Sequence, residues 1–343
     1  MRQSVSILVM TATAALAIAL LVGCSDGSAI APKAASHQSF TYSPAGRTSS
    51  ILGPIGVLDM NRRVAHQFKS FYSCPATGRL EYVADFGHTV IFVYSGDFAS
   101  QAPCGQLTSG LVQPDGMYVK TGTHDLYVAN NTPNILVFHR GQTTPFNTYT
   151  DPGAPIPIDV AVAKDGTVLA SNLNCSISTW IGGPNGGTFV GNFPMTNCQS
   201  GYETWITVKK NGTVYFDDHD VNSTLGAVWS LSCPAGACGI QTRVAGVSLR
   251  SACGLGFNAT DDLLASDTNP GAADTFELPN PNPKTFPVRG LPFSLAFDEL
   301  HHRWFTGDPE ANAAYEYMYP GGKFVGMVHG TLSGQIVGVA VDP

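Results

Sequence analysis

The sequence predicts an all-β protein, a closed ring of six four-stranded antiparallel sheets in which the C-terminal strand pairs into the first sheet. Three observations carry this. Charge is scarce and turn formers are abundant: 13% of the 343 residues are charged and 60 are Gly or Pro, where an ordinary soluble domain has about 25% charge and about 12% Gly plus Pro. A short strand-forming pattern recurs six times at nearly even spacing. The two chain ends are complementary, because the first copy lacks a leading strand that the last residues supply.

The first element is an address. Arg2 precedes an uncharged run from Val5 to Val22, rich in Ala, Leu, Ile and Val, that closes on Leu21-Val22-Gly23-Cys24. This box resembles a bacterial lipoprotein signal, in which a small residue before Cys marks the cut and the Cys takes the lipid. A run of that length can also just span a bilayer, but the box at its end points to cleavage. Residues 1–23 are therefore expected to be a signal peptide and Cys24 the lipidated first mature residue. Acyl chains add about 0.8 kcal/mol per buried methylene, and more than one gives stable anchoring without spanning. Among diderm lipoproteins an Asp directly after the lipid Cys retains the protein at the inner membrane; Ser25 stands there and favours the outer membrane. Residues 24–70, as in Ser43-Pro44-Ala45-Gly46, show little periodicity and are expected to form a flexible tether. Residues 71–343 remain for the ring.

The repeat consists of strand formers closing on a small or polar residue and an Asx. Its copies are Glu81-Tyr82-Val83-Ala84-Asp85, Leu126-Tyr127-Val128-Ala129-Asn130, Val168-Leu169-Ala170-Ser171-Asn172, Val214-Tyr215-Phe216-Asp217-Asp218, Leu263-Leu264-Ala265-Ser266-Asp267 and Trp304-Phe305-Thr306-Gly307-Asp308. Their starts are 45, 42, 46, 49 and 41 residues apart. Each copy sits in a longer unit. Val160 to Ala163 alternates, Lys164-Asp165-Gly166 turns, Val168 to Ser171 returns, and Ile177 to Trp180 follows as a third strand. Asp-Gly between alternating apolar runs is a strong hairpin signal. The next unit repeats the plan with Lys210-Asn211-Gly212 as its turn. Four antiparallel strands in about 45 residues make one blade of a β-propeller. The chain finishes on Val337-Gly338-Val339-Ala340-Val341 with no second strand after it. Pairing it ahead of Glu81 closes the ring and removes the exposed sheet edges.

On these residues the sequence resembles the NHL-repeat and gluconolactonase-like group of six-bladed propellers. Pro114-Asp115-Gly116-Met117-Tyr118-Val119, followed by Leu126 to Asn130, reads like an NHL-type repeat. The resemblance implies a ring with a central channel, and gluconolactonase-like members hold a channel metal there that activates a substrate. The Glu-Gly-Pro and Asn-Gly segments of that family's inner-strand starts are missing here.

Eight cysteines are present, seven once Cys24 is set aside. The blade plan brackets Cys74 with Cys104 and Cys175 with Cys198, while Cys233 and Cys238 can close a short loop, leaving Cys253 over. Disulfides fit an oxidising compartment outside the cytoplasm. A zinc site of Cys233, Cys238 and Cys253 is the alternative, without paired Cys-x-x-Cys spacing.

Two places offer chemistry. The Asx endings either ring one face of the propeller or bond their own turn backbone. At the channel mouth, where inner strands begin, strand register puts Asp115, Asp159 and Glu203 on successive blades, and three carboxylates can hold a hard cation such as Ca²⁺. The later blades present Cys253-Gly254, Phe293-Ser294 and Val337-Gly338 at the same level and add no strong oxygen ligand. Asp217-Asp218-His219-Asp220 reads as an acidic loop, and His301-His302 as an exposed turn. No nucleophile elbow, zincin helix, phosphate loop or dinucleotide fingerprint occurs.

The formal net charge of -7, with no Lys/Arg run, removes the footprint of a nucleic-acid binder. The expected function is a noncatalytic binding or scaffold module of the cell envelope. It is monomeric, held to the membrane by lipid on Cys24, and meets an envelope protein or glycan; Trp180, Trp205, Trp229 and Tyr202 are either contributing aromatics or, for most of them, blade core. The alternative is a metal-dependent lactone or ester hydrolase that uses Asp115, Asp159 and Glu203.

Overall fold

Turn chemistry sets the strands. In the Lys164-Asp165-Gly166 turn, Thr167 N donates to Asp165 Oδ1 at 2.9 Å, and in the Lys210-Asn211-Gly212 turn, Thr213 N donates to Asn211 Oδ1 at 2.9 Å. Gly166 and Gly212 follow with φ of 90° and 89°, conformations that a side chain strains. These Asx turns reverse the chain, and the alternating runs on either side pair.

The computed structural model describes residues 68–98, 102–183, 186–196, 198, 204–219, 226–247, 249, 252–258, 260–267, 272–277, 280–290, 292–298, 300, 302–330 and 334–343. Cys24 and the segments 1–23 and 24–67 lie outside them. The chain runs β1 (Phe71–Tyr72), β2 (Leu80–Asp85), β3 (Val90–Ser95) and β4 (Gly105–Leu107), then β5 (Pro114–Lys120), β6 (Asp125–Asn130), β7 (Asn134–Phe138) and β8 (Asn147–Thr150). It continues with β9 (Pro157–Val162), β10 (Val168–Asn172), β11 (Ser176–Ile181) and β12 (Thr188–Pro194), and with β13 (Ile206–Val208), β14 (Thr213–His219), β15 (Gly226–Ser232) and β16 (Thr242–Arg243). The remainder is β17 (Ala252–Phe257), β18 (Leu263–Asp267), β19 (Ala272–Glu277), β20 (Asn280–Pro287), β21 (Ala296–Asp298), β22 (Arg303–Asp308), β23 (Ala313–Met318), β24 (Phe324–His329) and β25 (Ile336–Asp342).

These strands form one five-stranded and five four-stranded sheets, all antiparallel, in the arrangement of a β-propeller. The five-stranded sheet has the order β1-β4-β3-β2-β25. The last strand therefore pairs into the first sheet, with Leu80 opposite Asp342 and Val83 opposite Val339. Two features depart from the sequence reading. The first sheet gains a fifth strand, β1, whose two residues pair with Gln106 and Gly105. Contacts with the fold also begin ahead of residue 71: the Phe68 ring meets Phe92 at 6.0 Å, and Ser70 Oγ lies 2.7 Å from Thr108 Oγ1.

The innermost strands β25, β5, β9, β13, β17 and β21 touch one another in turn, and β21 touches β25. An apolar cluster fills each gap between neighbouring sheets, including the gap between the β21–β24 sheet and the first, where Phe305, Ala314 and Val328 meet Val83 and Phe92. Because each sheet packs on both faces, β2, β9, β10 and β25 are buried at every position.

The ring is also stapled by charge. Arg79, 7% exposed, reaches Asp97 at 2.6 Å in its own sheet and Glu316 at 3.1 Å and Asp298 at 3.5 Å in the sheet of β21–β24, and it pairs with Glu81. Arg303 adds a contact to Glu316 at 3.2 Å, and Glu316 Oε2 accepts from Phe98 N at 2.9 Å. On the other side of β25, Asp342 accepts from Arg140 at 2.5 Å and lies 2.5 Å from His124 Nδ1, both on the next sheet. Disulfides join Cys74 to Cys104, Cys175 to Cys198 and Cys233 to Cys238, the expected pairs. None of the described cysteines is free, Cys253 included, so the leftover thiol and the zinc set both fail.

Candidate functional site

A meander of four strands puts its turns alternately at its two ends. The first-to-second and third-to-fourth turns share one end of the ring; the second-to-third turns and the crossings between sheets share the other. The second end carries the Asx endings and the inner-strand starts, and it is the channel mouth.

One apolar side chain from each inner strand, or from the segment leading into it, converges there: Met117, Ile158, Trp205, Cys253, Phe293 and Val337 belong to one buried cluster. Trp205 and Phe293 meet edge to face with ring centroids 5.7 Å apart. Glycines let the backbones close in. A Cβ on Gly338 would stand 2.1 Å from Asp115 O, and one on Gly116 would stand 2.1 Å from Asp159 Oδ1. Among the described residues the mouth is therefore plugged rather than open.

Asp115 and Asp159 do come together, as the register argument expected, but inside this plug. They are 2% and 6% exposed. Asp159 Oδ2 accepts from Ile206 N at 3.0 Å, so this carboxyl joins two inner strands. Burial pushes the Asp159 carboxyl up from 3.8 to about 7, its amide bonds acting the other way. Burial first, and then the charge of Asp159, holds Asp115 well above the ordinary range. Asp115 Oδ1 has no hydrogen-bond partner among the described residues. Glu203 lies outside them. A calcium ion takes six to eight oxygens, and the described donors here are two carboxyls, one already bound to an amide. They do not fit a calcium centre. Among the described residues no group of three His, Cys, Asp or Glu side chains gathers anywhere with metal-binding geometry.

The raised carboxyls set a pH dependence. Asp159 and Glu81, the latter pushed up to about 8 by burial, bind protons more tightly folded than unfolded. Their stabilisation is complete below pH about 4 and is lost as pH rises through 7 and 8. The urea midpoint is expected to fall between pH 5.5 and 8.5. Glu81→Gln with Asp159→Asn should flatten that slope, and a midpoint that rises over this interval would count against the burial described.

The Asx endings whose side chains are described bond backbone rather than ringing a face. Asp85 Oδ1 accepts from His88 N and Gln335 N, Asn130 Oδ1 from Val112 N, and Asp308 Oδ1 from Glu310 N and Ala311 N. The residue before the Asx ties inner-strand starts: Ser171 Oγ donates to Thr204 O at 2.6 Å ahead of the next sheet, Asp217 accepts from Gly254 N at 3.2 Å in the next sheet and from Trp205 N at 2.7 Å ahead of its own, and Ser266 Oγ donates to Cys253 O at 2.6 Å within its sheet. The acidic loop expected at Asp217-Asp218-His219 is strand instead, paired with Val228, Ala227 and Gly226. Burial of Asp217 is met by those two amides, so polarity at this position signals a joint. His302 is exposed in a turn, as expected; His301, Asp220 and Tyr202 lie outside the described residues. Trp180, Trp205 and Trp229 are buried and offer no surface for a partner.

No protein-family model matches the chain, and no curated protein sequence matches it. Solved structures resemble it in fold. One is a chain of a nidogen/laminin complex, at 14% identity and a TM-score of 0.63, covering 77% of this chain and 98% of that one. A protein of unknown function from Bacteroides caccae is similar at 12% identity and 0.54, covering 77% and 99%. A functionally unknown protein from Desulfotomaculum acetoxidans DSM 771 is similar at 11% and 0.52, covering 77% and 99%. At these identities the likeness shows the β-propeller fold alone.

Proposed function

We propose that this chain is a lipid-anchored protein of the cell envelope whose NHL-type, six-bladed propeller serves as a noncatalytic binding or scaffold module. The observation that carries this reading is the apolar closure of the channel mouth. Trp205 and Phe293 occupy the place a substrate would enter, and Asp115 and Asp159 spend their polarity inside the wall. The Leu-Val-Gly-Cys box ending at Cys24 supports the anchor, and three disulfides agree with an exported domain. The nidogen/laminin likeness supports a propeller put to protein binding.

The anchor is tested by labelled fatty acid in producing cells: label is expected on the chain and absent from Cys24→Ser. The binding role is tested by crosslinking in intact envelopes, where a discrete partner is expected beyond those of an unrelated lipid-anchored control. Calorimetry with Ca²⁺ tests the hydrolase reading. No heat at millimolar Ca²⁺ is expected; heat abolished by Asp159→Asn would revive a metal-dependent hydrolase of Asp115, Asp159 and Glu203.

A further inference from the structure

The end of the ring opposite the plugged mouth carries a pattern that the binding-module reading does not use. Three successive sheets present a lysine on or beside the inner turn and an exposed apolar side chain on or beside the outer loop. In the β5–β8 sheet these are Lys120 and Phe146, the latter 45% exposed; in the β9–β12 sheet, Lys164 and Ile181, 46% exposed. In the β13–β16 sheet they are Lys209 with Lys210 and Ile240, 91% exposed. The outer loops 139–146, 182–187 and 233–241 contain no Asp or Glu. Asp165, beside Lys164, is the exposed acid of these three inner turns; the same end of the other sheets carries Asp97, Asp261 and Asp262, together with Lys323 and Leu300, the latter 71% exposed. Half of this face is therefore basic and apolar on a protein whose formal net charge is -7.

Salt decides which charge a partner meets. The Debye length is about 8 Å at physiological ionic strength, so a surface against this half meets chiefly the charges on it, Lys120, Lys164, Lys209 and Lys210 against Asp165. The apolar tips stand apart on three loops rather than lining one groove. That spacing suits a fluid interface better than a folded partner, which would need a matching relief.

We infer that this half-face docks on an anionic lipid bilayer, with Phe146, Ile181 and Ile240 entering the headgroup and acyl boundary and the lysines pairing with anionic headgroups. The inference draws on the Cys24 anchor for proximity to a bilayer, and the two are separable by experiment.

The full chain is reconstituted with phosphatidylcholine vesicles, with or without phosphatidylglycerol, carrying lipids brominated on their chains. Ile240→Trp reports the docking face and Val112→Trp, 44% exposed at the other end, is the control. The native tryptophans 180, 205, 229 and 304 are at most 8% exposed and stay dark to the quencher. Flotation with pure phosphatidylcholine reads the anchor alone; quenching reads the face. Quenching of Ile240→Trp on anionic vesicles, with none of Val112→Trp, is expected. Lys164→Glu, Lys209→Glu and Lys210→Glu should each cut the ratio of docked to undocked chain by at least about fivefold. An unquenched Ile240→Trp on anionic vesicles, equal quenching of Val112→Trp, or indifference to charge reversal would overturn the inference, whether or not the chain floats.

Discussion

Replacing Arg79 by Met is expected to lower the unfolding free energy by about 3–5 kcal/mol, the usual cost of removing one partner from a buried ion group. The guanidinium stands among Glu81, Asp298 and Glu316, whose side chains are 1%, 0% and 0% exposed, and its ring neighbour Phe305 lies 5.6 Å beneath. Without it, carboxyls from the first sheet and from the β21–β24 sheet face one another with little water to screen them. Arg303 remains on Glu316 but is not paired with Glu81. Chemical denaturation with Lys323→Met as an exposed-turn control, expected within about 0.5 kcal/mol of the parent, measures the difference. A loss below about 1 kcal/mol for Arg79→Met would mean that the network does not staple the seam.

Deleting β25 has a larger expected effect. Ile336, Val337, Val339 and Val341 are 0%, 3%, 3% and 8% exposed. At about 1.5–3 kcal/mol for each buried side chain they contribute about 6–12 kcal/mol, comparable with the whole net stability of a domain, about 5–15 kcal/mol. The loss also leaves β2 with an unpaired edge inside the ring and removes Asp342 from Arg140 and His124. A chain ending at Gly334 is expected to lose its near-ultraviolet circular dichroism and its cooperative melting transition. A cooperative melt within a few degrees of the parent would show that the ring does not depend on this closure.

The strands were legible because their signals are local. Asp165-Gly166 and Asn211-Gly212 specify turns through their own side chains and positive φ, and Asp85 and Asp308, at strand ends, bond amides two or three residues on. The closing strand was readable for a different reason: alternating valines at the chain end had no second strand to pair with, and the Glu81 strand had no first. Two of the cysteine pairs followed from the blade plan, and Cys233 with Cys238 from their short spacing. What local pattern missed lies across the ring. Arg79 and Glu316 are 237 residues apart, and no periodicity connects them. Phe71 and Tyr72 make a strand of two residues, too short to carry a period. Asp217 and Asp218 read as loop because two adjacent acids inside a strand contradict propensity. The structure resolves that for Asp217 with amides from Trp205 and Gly254 that come from two different sheets.

The channel mouth was half legible. Register aligned Asp115 with Asp159, and also set Cys253, Phe293 and Val337 at their level, but as residues that fail to ligate. Their positive role, with Met117, Ile158 and Trp205, is to fill the centre, and it emerges only when six strands about 45 residues apart are placed round one axis. A ring of small radius leaves room there for side chains and not for a ligand, unless the entering residues are short and polar.

The most direct test of this account is a crystal structure of the protein grown with Ca²⁺ and examined at the channel mouth. The Trp205 and Phe293 rings are expected in edge-to-face contact and Asp159 bonded to Ile206 N, with no cation between the carboxyls. An ion held at about 2.3–2.6 Å by Asp115, Asp159 or Glu203, with Trp205 swung aside, would contradict it and make the propeller a metal-dependent site.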